Sequence, residues 1–327
     1  MKIAHAGHAE LQVKDLEASK RFFTDVVGLI LSDEDDKSVY LRAWQDFEHH
    51  SLVLTKGEES ALMHLGWRVE DPESLDQFAR HFEQIGIPCT WTKAGTERGQ
   101  GRGLRFNTPS GVPMELYWEM EKYHEKDPNR VSIMPSFPQK FPLVGFAPRR
   151  FDHFNVMAND VQSEQEWLTR EMGIKHRYYV EGDDGKRRAS WLSLTNLSHD
   201  IAVMRNYSGE GARLHHHAYF VDSPDELLRA CNMLVEHGGK IEWGPGSHGT
   251  SGAIFLYFFE PSGHRIEVWT RGMLIFPPDW KPIRWDHATE ALGFDTFGSK
   301  APETYLNYGT EVVSATGAPA SAQTARQ

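Results

Sequence analysis

One stretch of sequence occurs twice in this chain: Leu104-Arg-Phe-Asn-Thr-Pro-Ser-Gly-Val-Pro-Met-Glu115 returns as Leu256-Tyr-Phe-Phe-Glu-Pro-Ser-Gly-His-Arg-Ile-Glu267. The Leu, Phe, Pro, Ser, Gly and Glu positions coincide at a constant offset of 152 residues (256 − 104). The same offset aligns the segments that begin at Pro72 and Pro224. Residues 62–120 and 214–270 are therefore copies of one unit, and a repeat of this kind decides the fold.

A second pair of copies precedes these units, because residues 15–29 match residues 160–174 at an offset of 145 (160 − 15). All four units open with a short strand, an acidic cap, an amphipathic helix and a Gly stop, and strands follow. The pattern predicts an α+β fold of four βαβββ modules paired into two domains. We expect domains at 1–125 and 146–290, a Pro-rich linker at 126–145, and a C-terminal arm with a disordered tail at 291–327.

The composition excludes several classes of protein. Lys and Arg total 35 against 46 Asp and Glu, which gives a net charge of −11 and argues against a nucleic-acid partner. No apolar run approaches the ~20 residues of a membrane span, so no membrane partner is expected. The N-terminus lacks a signal-peptide core, and only two cysteines, Cys89 and Cys231, are present. These features predict a cytoplasmic protein.

Three predicted strands of the second half carry side chains that bind metals. They are His153 in the first strand of the third unit, His216 in the first strand of the fourth unit, and Glu267 in the last strand of the fourth unit. The repeat selects His216 from three adjacent histidines, because it and His64 each lie eight residues before an aligned proline. Each histidine alone is an ordinary strand residue. Two imidazoles and one carboxylate together form the ligand set that leaves open positions on non-haem Fe(II).

Further polar groups follow in the same half. His199 lies in Asn196-Leu-Ser-His-Asp200, and His248 lies in the Gly-rich loop Gly244-Pro-Gly-Ser-His-Gly249. Tyr257 lies in the middle of a predicted strand. The stretch from Gly246 to Glu267 joins His248, Tyr257, Glu-Pro-Ser-Gly and Glu267 at a spacing that resembles the signature of the type I extradiol ring-cleavage dioxygenases. These enzymes belong to the vicinal-oxygen-chelate superfamily, whose glyoxalase-like fold is built from paired βαβββ modules. The similarity covers about residues 1–290 and is greatest to the catechol 2,3-dioxygenases.

The resemblance implies a reaction and a cofactor. His153, His216 and Glu267 are implied to bind Fe(II), where a catechol-type substrate meets O₂. The ring opens beside the diol and gives a 2-hydroxymuconic semialdehyde, a reaction of aromatic-compound catabolism. Because the family often forms tetramers, we expect a homo-oligomer.

The resemblance also implies roles for the groups around the metal. His199 is implied to hydrogen-bond to the oxygen species and later to act as an acid. His248 and Tyr257 are implied to hold the substrate and to assist its proton transfers. Asn155, two residues after His153, is expected on the oxygen side, and Trp191 is expected beside the substrate pocket.

The first half holds equivalents of these residues. His8, His50, His64 and Glu115 stand where the second half has His153, His199, His216 and Glu267. Thr96 replaces His248, Arg105 replaces Tyr257, and Glu10 replaces Asn155. Because the acid–base groups are gone, we expect a non-catalytic remnant of the metal set. Whether His8, His64 and Glu115 still bind a metal stays open at this point.

Two other functions fit the same fold. One is a metal-dependent isomerase or thiol transferase of the glyoxalase or drug-resistance kind, and the set of His199, His248 and Tyr257 argues against it. The other is a metal-free small-molecule binding protein, which would not need His153, His216 and Glu267 in register. The choice of iron as the bound metal rests on the family resemblance alone, because manganese accepts similar ligands.

One position bears on the substrate. Relatives that cleave carboxylated catechols carry an arginine five residues before the loop histidine, and this chain has Trp243 there. An apolar aromatic offers no bidentate partner to a carboxylate. We therefore expect catechol and its methyl or chloro derivatives as substrates, provided that neither Arg205 nor Arg265 points into the pocket.

Overall fold

The computed structural model describes residues 1–209 and 211–313 of the 327-residue chain. Residues 314–327, on which the predicted disordered tail falls, lie outside the described residues. Within the described ranges no helix is both long and apolar enough to cross a bilayer. The fold is α+β and contains the four predicted βαβββ modules.

The first half holds two modules that share one eight-stranded sheet in the order β2-β3-β4-β1-β5-β8-β7-β6. The first module comprises β1 (Ile3–Val13), α1 (Leu16–Arg21), β2 (Ile30–Glu34), β3 (Ser38–Arg42) and β4 (Leu52–Lys56). The second comprises β5 (Ala61–Val69), α2 (Pro72–Gln84), β6 (Cys89–Thr92), β7 (Gly103–Asn107) and β8 (Pro113–Tyr117).

The second half repeats this plan in a ten-stranded sheet, whose main path runs β14-β15-β16-β13-β9-β12-β11-β10-β17. The third module comprises β9 (Arg150–Ala158), α3 (Val161–Met172), β10 (Lys175–Glu181), β11 (Arg187–Ser193) and β12 (Ile201–Arg205). The fourth comprises β13 (Arg213–Phe220), α4 (Pro224–Glu236), β14 (Lys240–His248), β15 (Ala253–Phe259) and β16 (Arg265–Arg271).

The chain after the fourth module folds back over the second sheet. It forms β17 (Ile283–Trp285), α5 (Glu290–Phe294), α6 (Glu303–Asn307) and β18 (Thr310–Glu311), which pairs with β13. Residues 126–145, which are all described, contain no helix or strand, as a linker would. The exact domain boundaries at 125, 145 and 290 remain predictions.

Local sequence explains where the module helices begin and end. Asp15, Asp71 and Asp160 accept a backbone N–H of the first helical turn, as the acidic-cap pattern predicts. The fourth cap is different, because the Ser223 hydroxyl caps α4 in a capping box with Glu226. The expectation of an acidic cap in all four modules was therefore wrong for this one. A π-helical segment, Phe22–Val27, continues α1, and Gly28 ends it in the left-handed conformation at φ 86°.

Candidate metal centre

Three adjacent strands of the second sheet bring the predicted metal ligands together. The sheet order places β13 between β9 and β16, so His216 is flanked by His153 and Glu267. The Nε2 atom of His153 lies 3.0 Å from Glu267 Oε2 and 3.4 Å from His216 Nε2, and His216 Nε2 lies 3.1 Å from the same carboxylate oxygen. All three side chains are buried. The geometry is that of three ligands converging on one point.

The neighbours of each histidine fix which ring nitrogen is free. Nδ1 of His153 donates to Asp152 Oδ1 at 2.9 Å, which leaves Nε2 for a metal. His215 donates from Nε2 to the Tyr305 carbonyl at 2.7 Å, so its Nδ1 accepts a hydrogen bond from His216 Nδ1 at 2.6 Å. This relay leaves Nε2 of His216 facing Glu267. Both imidazoles thus take the tautomer that metal binding requires.

The electrostatics of the three groups also suit a cation. Burial opposes a charge on Glu267, but hydrogen bonds from His153 and His216 outweigh burial and hold the pKa of Glu267 well below its usual range. Burial lowers the pKa of His216 to about 4. Burial also lowers the pKa of His153, but hydrogen bonds to Asp152 and Glu267 outweigh burial and raise this pKa to about 9. One proton therefore lies among the three groups, and a divalent cation would displace it.

The residues fit a divalent metal ion. Glu267 Oε1 is buried and accepts no hydrogen bond within the described part of the chain. A buried carboxylate oxygen without a donor is costly unless a cation satisfies it. Two imidazole nitrogens and one carboxylate form the facial set of non-haem metal enzymes, and the rest of the coordination sphere stays open.

His248 and Tyr257 lie beside this centre and are bonded to each other. Nδ1 of His248 donates to the Phe294 carbonyl at 2.6 Å, so Nε2 is left to accept from the Tyr257 hydroxyl at 2.9 Å. Burial lowers the pKa of His248, and burial together with the Glu267 charge raises the pKa of Tyr257 well above its usual range. A neutral imidazole and a protonated phenol therefore face the metal position.

The His199 ring contacts the His153 ring, with the two ring centroids 4.1 Å apart. Its Nδ1 lies 3.2 Å from the hydroxyls of Tyr178 and Ser198, which can both donate to it. Burial and the nearby His153 hold the pKa of His199 well below its usual range. In the tautomer in which Nδ1 accepts from one of these hydroxyls, the ring proton lies on Nε2, where it can be donated.

A cavity opens in front of the three ligands, and Asn155 and Trp191 both line it. Asn155 is buried, and its Oδ1 has no hydrogen-bond partner in the described residues. Trp191 stacks on Tyr178 at 5.0 Å between ring centroids. The cavity thus brings together every site residue that the sequence predicted.

Sequence reasoning missed the contribution of the C-terminal arm. Phe294 and Tyr305 line the same cavity, although they follow the last predicted module. Tyr305 also accepts the His215 hydrogen bond through its carbonyl. The arm lies outside the repeat, so no internal copy could have indicated these residues.

The position that bears on substrate choice is apolar and packed. The Trp243 indole stacks beside Tyr257 and donates to the Ser299 hydroxyl at 2.8 Å. The buried Arg265 is engaged by Glu242 and by backbone carbonyls, including that of His215 at 3.1 Å. Arg205 instead lies over the Tyr207 ring. The described residues that line the cavity include no Lys or Arg.

The structure also brings together the first-half counterparts. His8, His64 and Glu115 cluster as their second-half equivalents do, and Glu97 joins them. Sequence reasoning did not identify Glu97. It directly follows Thr96, the equivalent of His248, which lies at the end of β14 rather than in the predicted Gly-rich loop. Equivalent segments of the two halves therefore supply different groups.

Comparisons with known proteins agree with this geometry. A family model described as Glyoxalase/Bleomycin resistance protein/Dioxygenase superfamily matches residues 150–268. A second model, described as Catechol 2,3-dioxygenase-like N-terminal domain, matches residues 62–121. The two matches fall on the two halves that the repeat defines.

Curated relatives and solved structures match along nearly the whole chain. The manganese-dependent 2,3-dihydroxybiphenyl 1,2-dioxygenase of Geobacillus genomosp. 3 is 42% identical over 91% of this chain and 94% of its own. The metapyrocatechase of Geobacillus stearothermophilus is 34% identical over 95% of this chain and 94% of its own. The solved homoprotocatechuate 2,3-dioxygenase of Brevibacterium fuscum superposes with a TM-score of 0.87 at 30% identity, over 97% of this chain and 96% of that one.

Proposed function

This chain belongs to the extradiol ring-cleaving dioxygenases of the vicinal-oxygen-chelate superfamily, and from that membership we propose that His153, His216 and Glu267 hold Fe(II) at its catalytic centre. The enzyme cleaves the ring of catechols beside the diol, with O₂ as the co-substrate, in aromatic-compound catabolism. For catechol itself the product is 2-hydroxymuconic semialdehyde, which retains both atoms of O₂.

One observation carries the assignment of the centre. Three buried ligand atoms on adjacent strands converge within 3.4 Å of one another, and separate hydrogen bonds hold both imidazoles with Nε2 free. When bound, the metal supplies a Lewis acid that holds the diol and O₂ next to each other. The protein supplies the position of these ligands, the exclusion of water by the cavity, and the proton-carrying groups.

The roles of those groups follow from their hydrogen bonds. The Tyr257 hydroxyl donates to His248 Nε2, so the pair can pass a proton between the substrate diol and the ring nitrogen. His199 lines the same cavity and, in the tautomer in which Nδ1 accepts from Tyr178, can donate a proton from Nε2. The unpartnered Oδ1 of Asn155 lines the oxygen side, and the Trp191 ring flanks the substrate.

The choice of iron can be tested against manganese, for which one relative is named. The protein would be stripped of metal and reconstituted under anaerobic conditions with Fe(II) alone or with Mn(II) alone. We expect the larger kcat for catechol from the Fe(II) sample. A larger kcat with Mn(II) would assign manganese and leave the ligand set in place.

The ligands are tested by Glu267→Gln and His216→Ala. Each change removes one of three protein ligands, so we expect metal content and ring cleavage both to be lost. His217→Phe is the matched control on β13, because its ring packs against Phe151 and Tyr219 instead. A Glu267→Gln or His216→Ala protein that retains both its metal and its rate would refute the assignment.

We propose catechol and apolar-substituted catechols as the substrates. The cavity lining described above holds no guanidinium or ammonium group. Trp243 stands at the sequence position where the relatives that cleave carboxylated catechols carry an arginine. A carboxylate there would lose water without gaining an ion pair, at a cost of several kcal/mol as an order of magnitude. A buried methyl group would instead contribute roughly 0.8 kcal/mol. We expect a higher kcat/KM for 4-methylcatechol than for homoprotocatechuate, and equal values would overturn this choice.

We also propose a cytoplasmic homo-oligomer, with the tetramer of the family as the expected state. Cys89 and Cys231 are free thiols, which suits a reducing compartment. The segment 126–145 exposes large apolar side chains, among them Ile133, Phe141 and Leu143, which a subunit contact would bury. Light scattering on the purified protein measures the state directly, and a monomer would contradict the proposal.

A further inference from the structure

The first half contains a second group of ligand-type side chains on adjacent strands. His8 lies on β1, His64 on β5 and Glu115 on β8, and these strands are neighbours in the order β1-β5-β8. Glu97, from the loop between β6 and β7, completes the group. All four side chains are buried, with at most 4% of each residue exposed. The group therefore differs from the catalytic centre by one additional carboxylate.

The distances within this group suit four ligands around one ion. Nε2 of His8 lies 3.0 Å from Nε2 of His64 and 3.2 Å from Glu97 Oε2. His64 Nε2 lies 3.2 Å from Glu97 Oε1 and 3.4 Å from Glu115 Oε2. A tetrahedral ion with metal–ligand bonds of about 2.0–2.2 Å separates its ligands by roughly 3.3–3.6 Å. Two imidazole nitrogens only 3.0 Å apart also require a proton or a cation between them.

The charges around the group favour a divalent cation. Three buried carboxylates, those of Glu10, Glu97 and Glu115, face one guanidinium, that of Arg105. With both imidazoles neutral, which is the form that binds a metal, this cluster carries two more negative than positive charges. Buried carboxylates without a compensating cation are strongly disfavoured, and a divalent ion would balance these two charges.

Arg105 supports the carboxylates from outside the group. It hydrogen-bonds to Oε1 of Glu97 and to Oε1 of Glu115. Oε2 of Glu97 remains buried without a hydrogen-bond partner among the described residues, and it lies on the side of His8. Behind His64, Nδ1 lies 3.1 Å from Glu10 Oε2. Carboxylates and donors in these outer positions are what orient metal ligands in proteins.

We propose that His8, His64, Glu97 and Glu115 form a second metal site, which binds zinc(II) or a similar divalent transition metal in a closed, four-coordinate shell. Two imidazoles and two carboxylates match the ligands that zinc accepts, and four protein ligands characterise structural sites. Glu97 fills a position that the catalytic centre leaves open. The site joins β1, β5, β8 and the β6–β7 loop, so it stabilises the first half and takes no part in ring cleavage.

Zinc stoichiometry tests the proposal. The full-length protein is stripped with a chelator, titrated with ZnCl₂ and analysed for bound metal after desalting. We expect two zinc ions per wild-type chain, one in His64→Ala, one in Glu97→Gln, one in His216→Ala and none in His64→Ala/His216→Ala. A wild-type chain that binds a single ion, which His64→Ala retains, would overturn the proposal. If His64→Ala fails to fold, Glu97→Gln takes its place in the same comparison.

A second measurement separates this site from the catalytic one. In the His216→Ala background, zinc should still raise the melting temperature, because the first-half site binds only the folded state. His64→Ala/His216→Ala should show no such rise. If the single variants show instead that only His64→Ala loses an ion, the second site stands and the catalytic assignment fails. If only His216→Ala loses one, the second site is refuted.

Discussion

At the scale of single residues, the tautomers of two histidines decide whether the centre can bind a metal. Asp152 fixes His153, and the Tyr305 carbonyl fixes His216 through His215. Neither Asp152 nor His215 points its own ligand atom at the metal position. They determine instead which nitrogen of their neighbour carries a proton, and this sets the basicity of the ligand.

We predict that His215→Phe weakens metal binding without abolishing it. The phenyl ring cannot accept from His216 Nδ1, so the tautomer with Nε2 free loses its support. Groups of this kind typically contribute about 10–100-fold in metal affinity. His217→Phe, the adjacent change on the same strand, should leave the affinity unaltered. Competition with a chelator of known strength measures both, and equal affinities for the two variants would contradict the relay.

The acid–base residues give a second prediction at this scale. His199→Asn and Tyr257→Phe keep the three ligands, so both proteins should retain their metal and still bind catechol. Each loses a positioned proton donor, which typically contributes about 10²–10⁴-fold to a rate. Single-turnover absorbance of the yellow ring-fission product gives the rate. Wild-type rates in both variants would show that the two side chains are only structural.

The site residues differ in how well the sequence indicated them. His153, His216 and Glu267 could be chosen because the repeat fixes their register against the first half, and His248 and Tyr257 because their spacing matches a family signature. Glu97 was missed because its equivalent is Gly249, which bears no ligand. His215 was recognisable only as one of three histidines, since its role depends on a carbonyl 90 residues away.

At the scale of elements, the C-terminal arm completes a site that the four modules leave unfinished. Asp295, which follows α5, accepts backbone N–H groups from Ser247 at 2.8 Å and from Phe297 at 2.9 Å. The bond to Ser247 ties the arm to the end of β14, next to His248. The arm therefore positions the Phe294 carbonyl that fixes the tautomer of His248.

We predict that Asp295→Ala reduces kcat/KM for catechol by roughly tenfold, because hydrogen bonds to a carboxylate contribute about 1.5–3 kcal/mol and the arm would shift away from His248. Metal content should stay at the wild-type level, since the change frees the arm at Ser247 and leaves in place the Tyr305–His215 bond that supports His216. Asp279→Ala removes an exposed carboxylate from the segment between the fourth module and the arm, and it is the control. Loss of the metal, or an unchanged kcat/KM, would contradict this positioning role.

The elements themselves were predictable where sequence patterns are strong. The four helices with their caps and the strands of each module recur at fixed offsets, so each copy supports the assignment of the others. The short elements β17, β18, α5 and α6 were not predicted individually. They span two to five residues each and lack internal copies, and contacts with the second sheet rather than their own sequence determine them.

At the scale of the whole molecule, the two halves share one hydrophobic core. Trp67 of β5 packs edge-on against Phe154 of β9, with 5.3 Å between ring centroids. The turn after β15 is bound to the first half as well, because Glu260 accepts from the Ser19 hydroxyl at 2.7 Å. Ser262 of the adjoining Pro-Ser-Gly segment accepts from the Lys14 backbone N–H at 3.2 Å and, through its carbonyl, from the Ser60 hydroxyl at 2.7 Å. The repeated motif therefore joins the halves, beside its place in the catalytic signature.

Because the core is shared, we predict that damage in the first half destabilises the second. Trp67 is fully buried, and Trp67→Ala should lower the free energy of unfolding by about 3–5 kcal/mol. Trp91→Ala is the matched control, since this tryptophan of the same half is 43% exposed and should change stability far less. Calorimetry should show one transition at a lower temperature for Trp67→Ala, and ring cleavage should be lost at that same temperature. If Trp67→Ala shows two separate transitions and still loses activity only at the wild-type temperature, the catalytic half is stable without support from the first half.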